Sequence, residues 1–514
     1  MVSESHITDR LLSELLVGIK SNDAVPSMMI NGVTLDNRRV VPGGLFIALK
    51  GIQHHGIDFA MDAVRSGASI ILYDAWDNYC RHRIPLLQKQ INTGWLGIEH
   101  LQRQTGVIAS RFYHQPGHDL TIIGVTGTDG KTSVTHLLSQ ALMRLGHATG
   151  SIGTLGYGIN NQLQQTRQTT PDATELESYL YQFKQRGCRF VVMEVSSHAL
   201  MQYRLNGCPI NIAVLTNLGR DHLDYHGSIE QYAAAKARLF NDFDLDGCVL
   251  NADDPFGRQL AETCPGDGII CYSTKGESCD DAEIRLIRRT ITGKGQQIEV
   301  ATPLGEVHMH TGLMGDFNVD NTLACVASLI LLGFDRMQIS QALADLQAVP
   351  GRMQSVCASQ ALPGIVIDFA HTEQALQACL QTSRQHTSGK LWCVFGCGGD
   401  RDPGKRAGMG RIAEQLADYL IITDDNPRTE SAEAIVTDIL SGMRDPDRAK
   451  VIHDRSAAIE FAVSQAHRED LVVIAGKGHE QVQIIGHKSH AISDHDIVKR
   501  IVERVVERLR QVGP

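Results

Sequence analysis

Two glycines, a lysine and a threonine stand in quick succession in TIIGVTGTDGKTS, residues Thr121–Ser133, and together they have the chemistry of an anion cradle. The β-branched run Thr121–Val125 has the composition of a buried parallel strand. Val134, Leu137, Leu138, Ala141 and Leu142 then recur at helical spacing. Between strand and helix, the loop of Gly127, Thr128, Asp129, Gly130, Lys131, Thr132 and Ser133 would turn backbone N–H groups and a helix N-terminus toward phosphate. Lys131 adds a point charge, and the Thr132 hydroxyl can ligate Mg²⁺. The standard pattern has glycine where Val125 stands, so the loop is a variant. A glycine turn with a solvated lysine is the competing reading, and the strand–loop–helix order weighs against it.

Other polar clusters also fall at the ends of apolar runs. Phe190–Val195 delivers Glu194, Ser196, Ser197 and His198. Ile212–Thr216 delivers Asn217, then Arg220, Asp221, His222, Asp224 and His226. Open parallel sheets bind ligands at the carboxyl ends of their strands, and a carboxylate with two imidazoles suits Mg²⁺ and phosphate chemistry. Either cluster alone would read as an ordinary polar loop. Beyond residue 350 the pattern returns. Ile365–Asp368 runs into Phe369-Ala370-His371-Thr372, and Leu391–Phe395 into GCGGDRDPGKR (Gly396–Arg406). Tyr419–Thr423 ends in Asp424–Arg428, and Leu471–Ala475 ends in GKGHE (Gly476–Glu480). These strands predict a second doubly wound sheet, closed by a helix from Ser493 with Asp496 as its capping-box partner.

The elements needed to hold these clusters exceed one core. At 514 residues the chain is expected to form three α/β domains. Residues 1–100 form a small α/β unit with a helix at Ala60–Ser66 and a strand at Ala68–Tyr73. Residues 101–349 carry the phosphate loop on a parallel sheet, with SIGTLGYG (Ser151–Gly158) read as a glycine-rich connection. Residues 350–514 make a Rossmann-like domain beyond a hinge at Val349-Pro350-Gly351. Acidic residues outnumber basic ones, 58 to 48, against a nucleic-acid or anionic-membrane surface. The start, MVSESHITDR, lacks a basic n-region, and no apolar run reaches membrane-spanning length. The twelve cysteines are scattered and read as reduced thiols. The expectation is a monomeric, cytoplasmic enzyme acting on small molecules, without nucleic-acid or membrane partners.

VTGTDGKTS, TTPD, MEVSSHAL, TNLGRDHLDYHGS, the lysine in AAAKARLF and GDFNVDN follow, in order and over nearly the whole chain, a pattern that resembles the Mur ligases. These are ATP-dependent amide-forming enzymes of peptidoglycan precursor synthesis. The resemblance implies that Lys131 and Thr132 hold ATP phosphates and a first Mg²⁺, and that Glu194 and His222 are Mg²⁺ ligands. It also implies that Lys236 is carboxylated by CO₂. The carbamate turns a cation into an anion suited to a second Mg²⁺; from sequence alone, a solvent-facing helical lysine is the plainer reading. Asn321 would read adenine, Asp368 ribose, and Arg352 would reach ATP from beyond the hinge. The chain departs from the pattern at Asp129, where most members have Asn, and at Phe369 and Glu373, where Tyr and Pro are usual.

On the same resemblance, Leu35, Asn37, Ile52, Gln53 and His54 would contact the uridine side of a UDP-muramoyl dipeptide. Thr169, Thr170, Ser196, Gln202 and Arg204 would line its peptide. DNPR, Asp425–Arg428, resembles the signature of members that add meso-diaminopimelate to the D-glutamate. A guanidinium can hold the distal carboxylate that distinguishes this amino acid from lysine; a structural salt bridge is the alternative for Arg428. Arg401, Asp425, Asn426, Pro427, Arg428, Gly476 and Glu480 would form that pocket, with Glu480 facing an ammonium. The implied reaction runs through an acyl phosphate. Two other readings share the phosphate loop. A folylpolyglutamate-synthetase-like ligase fits poorly with TLDNR (Thr34–Arg38) and DNPR. A phosphotransferase or ATP-hydrolysing switch is separated by amine-dependent phosphate release.

Overall fold

The computed structural model describes residues 9–51, 54–265, 268–275, 282–292, 295–344, 346–356 and 362–512. The chain forms two compact units. One comprises Met1–Ser273 with Ser278–Glu283 and Ala324–Phe334; the other comprises Thr274–Glu277, Ile284–Leu323 and Asp335–Pro514.

The first unit begins with a parallel sheet of Val33–Thr34, Gly44–Ala48, Ala68–Asp74 and Gly94–Ile98, in that order. Successive side chains point to opposite faces. Leu45, Ile47, Ile70 and Leu72 pack with Leu101, Ile108 and Phe112 of the helix Leu101–Phe112. Phe46, Ala48 and Ile71 pack with Ala60, Ala63 and Cys80 on the other face. The fourth strand carries Gly94 and Gly97 and lacks the β-branched signal that marks its neighbours.

The second sheet of this unit runs Gln162–Gln164, Gly156–Ile159, Thr149–Gly153, Phe190–Glu194, Thr121–Thr126, Ile212–Leu215, Gly247–Asn251 and Ile269–Ser273. Phosphate loop and polar clusters therefore exit adjacent strands at one sheet edge, beside the point where strand order reverses. SIGTLGYG is not a connection but part of two strands paired antiparallel, Gly153 opposite Gly156, so this edge of the sheet is mixed. Two glycines of this edge, Gly150 and Gly153, have packing reasons. A Cβ on Gly150 would press on the Phe183 ring, and one on Gly153 would overlap the Glu194 carboxylate.

In the second unit, Ile284–Thr292, Gly295–Ala301 and Val307–Thr311 form an antiparallel meander that the sequence reading lacked. Its first strand leaves Ile287 and Ile291 exposed among charged and polar residues, which blurs the alternation. The other sheet pairs Gln354–Val356 antiparallel to Gly364–Asp368, followed in parallel by Leu471–Ala475, Leu391–Phe395, Tyr419–Ile422 and Ala449–Val451. Leu391, Cys393 and Phe395 face one core; Trp392 and Val394 face another with Ile459, Ile497 and Ile501. The closing helix is Asp494–Val512, and Ser493 Oγ accepts the Asp496 N–H at 3.2 Å, one half of the expected capping box. Among the described residues, no helix is long and apolar enough to cross a membrane.

Candidate active site

Gly127 lies at φ 150° and Gly130 at 82°, conformations that side chains disfavour. A Cβ on Gly127 would overlap the Thr216 hydroxyl. The strand exit after Leu215 clamps the loop. Thr128 N–H donates to Asn217 O (2.9 Å), Asp129 N–H to Asn217 Oδ1 (3.0 Å), and Thr216 Oγ1 to Asp129 O (2.5 Å). Asp129 thus serves the loop through its backbone, while its side chain is exposed to solvent. The departure from Asn leaves the scaffold untouched. The helix Lys131–Arg144 starts at Gly130, and Lys131 Nζ folds back to donate to Gly127 O and Thr128 O, both at 2.9 Å. Burial lowers the Lys131 pKa, against the pull of Glu194, Asp129 and Asp221.

Lys236 sits on the helix Ile229–Asn241 and is only 1% exposed, which removes the solvent-facing reading. Its Nζ donates to Gly127 O at 2.6 Å and stands 4.5 Å from the Tyr232 ring centroid. Burial pushes its pKa well below the usual lysine range, and the nearby Lys131 charge adds to the shift. Glu194, also 1% exposed, accepts from Thr132 Oγ1 (3.0 Å), Thr154 N–H (2.8 Å) and Thr154 Oγ1 (3.1 Å). Burial raises its pKa and these donors oppose the rise. His222 is the outlier. Its half-exposed ring pairs with Asp221 at 3.4 Å and lies 4.9 Å from the His198 ring. Among the described residues it shares no hydrogen bond with Glu194.

Threonines carry the network onward. Thr154 Oγ1 meets Thr169 Oγ1 at 3.1 Å, and Thr170 Oγ1 donates to Glu194 O at 2.8 Å and accepts the Ser196 N–H at 3.0 Å. Ser196 Oγ in turn caps the helix Ser197–Met201. Arg204 Nη1 donates to Thr170 O (2.7 Å), its Nε to Gln202 Oε1 (3.0 Å), and Gln202 Nε2 reaches Tyr225 Oη (3.2 Å). One continuous net therefore joins Thr169, Thr170, Ser196, Gln202 and Arg204 to the carboxylate behind the phosphate loop. Next to the TLDNR segment Arg39 pairs with Glu175, and within it Asp36 pairs with Arg167. Asp36 also binds Arg38 at 2.7 Å, and its pKa falls to about 2. Asn37 opens the short 3-10 turn Asn37–Arg39, while Leu35 packs against the N-terminal core. His54 is exposed, edge-on to Phe59 at 6.0 Å. Ile52 and Gln53 lie outside the described residues.

The second unit builds a different kind of site. Strand ends at Phe395, Ile422 and Ala475 deliver three loops. Gly476, at φ 113°, is packed so closely to Asp425 that a Cβ would come within 2.8 Å of Oδ2. Asn426 Oδ1 accepts from Ile484 N–H (2.9 Å) and from Lys477 Nζ (3.0 Å); its Nδ2 donates to Glu480 Oε2 (3.0 Å). Lys477 lies within GKGHE but was not singled out by sequence, since an exposed lysine would spell the same motif. Pro427 O lies where a Cβ on Gly399 would fall. Arg428, at φ 54°, donates from Nη1 to Gly399 O at 2.7 Å, and Arg401 is exposed beside Gly398. Among the described residues Arg428 forms no salt bridge, and its guanidinium donates to a carbonyl. Elsewhere in this unit, Asp368 accepts the Met353 N–H (2.6 Å) and the Ala370 N–H (2.8 Å), and burial raises its pKa. Asn321 is buried and donates to Asn318 Oδ1 at 3.1 Å, while Arg352 is exposed.

Known proteins match the chain over most of its length. Family models match at residues 29–113 (Mur ligase family, catalytic domain), 125–329 (Mur ligase middle domain) and 351–478 (Mur ligase, glutamate ligase domain). The UDP-N-acetylmuramoyl-L-alanyl-D-glutamate–2,6-diaminopimelate ligase of Chromobacterium violaceum is 43% identical over 91% of this chain and 94% of its own length. That of Coxiella burnetii is 41% identical over 96% and 99%. A solved structure of a ligase of the same description superimposes with a TM-score of 0.76 at 34% identity, covering 97% of this chain and 99% of the other. The chain belongs to the Mur ligase family, with its three-domain α/β architecture.

Proposed function

We propose that this protein is an ATP-dependent ligase that joins meso-diaminopimelate to the D-glutamate of UDP-N-acetylmuramoyl-L-alanyl-D-glutamate, a step of peptidoglycan precursor synthesis. Its relatives at 41–43% identity carry that description. The observation that carries the chemistry is the convergence of two lysines, Lys131 and Lys236, on one phosphate-loop carbonyl, Gly127 O, in front of the buried Glu194. The three domains run over residues 1–100, 101–349 and 350–514.

The phosphates of ATP lie along Gly127–Ser133, with Asn321, Arg352 and Asp368 contacting the rest of the nucleotide. The D-glutamate side-chain carboxylate attacks the γ-phosphorus, ADP leaves, and an acyl phosphate forms. The amine of diaminopimelate then adds to the acyl carbon, and phosphate departs with the amide in place. Lys131 balances charge on the transferring phosphoryl group. Oxygen donors at Thr132 and Glu194 fit a hard divalent cation, and a desolvated carboxylate gains most from one. Thr132, Glu194 and His222, with Lys236, would hold Mg²⁺, which neutralises phosphate charge when bound. Lys236 fits carboxylation as well: burial lowers its pKa, and the neutral form of such an amine can add to CO₂, losing a proton and becoming an anion. Thr169, Thr170, Ser196, Gln202 and Arg204 orient the peptide of the precursor, and Leu35, Asn37, Ile52, Gln53 and His54 its uridine end.

Arg428 commits one N–H to Gly399 O and has others to offer the distal carboxylate of diaminopimelate. Arg401, Asp425, Asn426, Pro427, Gly476 and Glu480 complete that pocket. Phosphate release with ATP and the UDP-dipeptide, with diaminopimelate or lysine as acceptor, tests the reading. Release that requires diaminopimelate supports it; acceptor-independent release, or equal use of lysine, refutes it.

A further inference from the structure

Lys477 is 0% exposed, yet it lies between two residues assigned to the amino-acid pocket. An ammonium has three N–H donors, and here three acceptors surround it: Asn426 Oδ1 at 3.0 Å, Glu480 Oε2 at 3.2 Å and Val482 O at 2.8 Å. Each contact constrains something different. Val482 O anchors the lysine to the strand Val482–Ile485. Asn426 Oδ1 takes both Lys477 and the Ile484 N–H (2.9 Å), so the amide has one stable orientation, with Nδ2 toward Glu480. Glu480 Oε2 therefore receives two protein donors on one oxygen, leaving Oε1 for a ligand. With the lysine's donors removed, Asn426 keeps the Ile484 N–H and its own bond to Glu480, and Glu480 keeps only that amide. The pair is then held less firmly, at a site where a displacement near 1 Å costs about a hundredfold.

We infer that Lys477 is a positioning residue of the acceptor pocket: it fixes the Asn426 amide and the Glu480 carboxylate so that one carboxylate oxygen meets the ammonium of the incoming amino acid. This rests on the acceptor pocket proposed above. It makes Lys477 a determinant of amino-acid affinity, with no part in the phosphoryl step.

The test is steady-state kinetics of full-length Lys477→Met, which keeps the apolar stem and removes the donors. KM for diaminopimelate should rise about 30- to 100-fold, with KM for ATP and for the UDP-dipeptide within about twofold of wild type. In Asn426→Ala/Glu480→Gln, adding Lys477→Met should cost almost nothing more, because the lysine acts through those two side chains. Should Lys477→Met fold poorly, Lys477→Ala is assayed with ethylammonium and, separately, with ethanol, which fills similar space without a charged donor. Rescue by the amine alone supports the inference. A folded Lys477→Met with unchanged KM for diaminopimelate overturns it. So does an equal rise in all three KM values, or rescue by ethanol as well as by the amine. A wild type that prefers another amino acid refutes the proposed acceptor; the same series run with that amino acid still decides the role of Lys477.

Discussion

Two lysines are almost wholly buried, one at each site, and they are treated in opposite ways. Lys477 has three acceptors, one of them a carboxylate. Lys236 has a single acceptor among the described residues, Gly127 O, and faces the like charge of Lys131. Burying an ammonium is costly unless it is paired and hydrogen-bonded. Full satisfaction makes Lys477 a fixed strut. Partial satisfaction drives Lys236 toward the neutral amine, the form that can react. On the proposed function, the phosphate site keeps one side chain poised for chemistry, whereas the acceptor pocket uses its buried charge for geometry.

The largest test of this contrast removes the phosphate-site lysines. Lys131→Ala should lose on the order of 10³-fold in turnover, since its charge answers charge that develops on the phosphoryl group. Lys236→Ala should be nearly inactive too. If the working species is the carbamate, acetate should restore part of the activity by supplying a carboxylate in its place, and it should do nothing for Lys131→Ala. Equal response of both variants to acetate would erase the distinction drawn between them. Next in size is Arg428→Ala. Losing the partner of a desolvated carboxylate should cost several kcal/mol in kcat/KM for diaminopimelate, roughly 10²- to 10³-fold. Lysine activity should barely rise, because Asn426 and Glu480 stay locked by Lys477. An unchanged ratio of diaminopimelate to lysine efficiency in the variant would remove Arg428 from selection.

The two sites also differ in how much of each is legible in the sequence. The proposed phosphate loop is contiguous, and strand, glycines, Lys131 and helix declare themselves within a short stretch, because a cradle of backbone N–H groups needs only neighbouring residues. The carboxyl-end clusters at Glu194 and Asp425 were equally legible, since strand ends are where such sheets bind ligands. What stayed hidden depends on burial or on pairing across the sequence. Lys236 reads as a surface lysine on an amphipathic helix, and only packing against Tyr232 and Gly127 reverses that. Lys477 was passed over for the same reason. Thr154, which donates twice to Glu194, comes from the glycine-rich segment taken for a connection. Glycines chosen to make room for Phe183 and Glu194 look like turn glycines when the neighbours are unknown.

A third buried ionisable group separates burial from function. Glu177, on the helix Ala173–Gln185, is 1% exposed, and among the described residues neither carboxyl oxygen has a hydrogen-bond partner. The nearby Ser110 hydroxyl, which donates to Gly207 O at 3.1 Å, opposes the effect of burial on Glu177 only weakly. Burial pushes its pKa from 4.5 up to about 8. In the unfolded chain the same carboxyl ionises near its ordinary value, so between those two pH values the fold holds a proton that the unfolded chain has lost. Stability is then highest below the lower value and falls as pH rises toward the upper one, by about 1.4 kcal/mol per pH unit. Glu177→Gln keeps the shape and cannot ionise. Its melting temperature should match wild type near pH 5 and exceed it by several degrees at pH 8, with turnover unaltered at both. Parallel melting curves across that range would show that Glu177 is not held protonated. A fall in turnover would instead place it with Lys236, among the buried charges that serve the reaction.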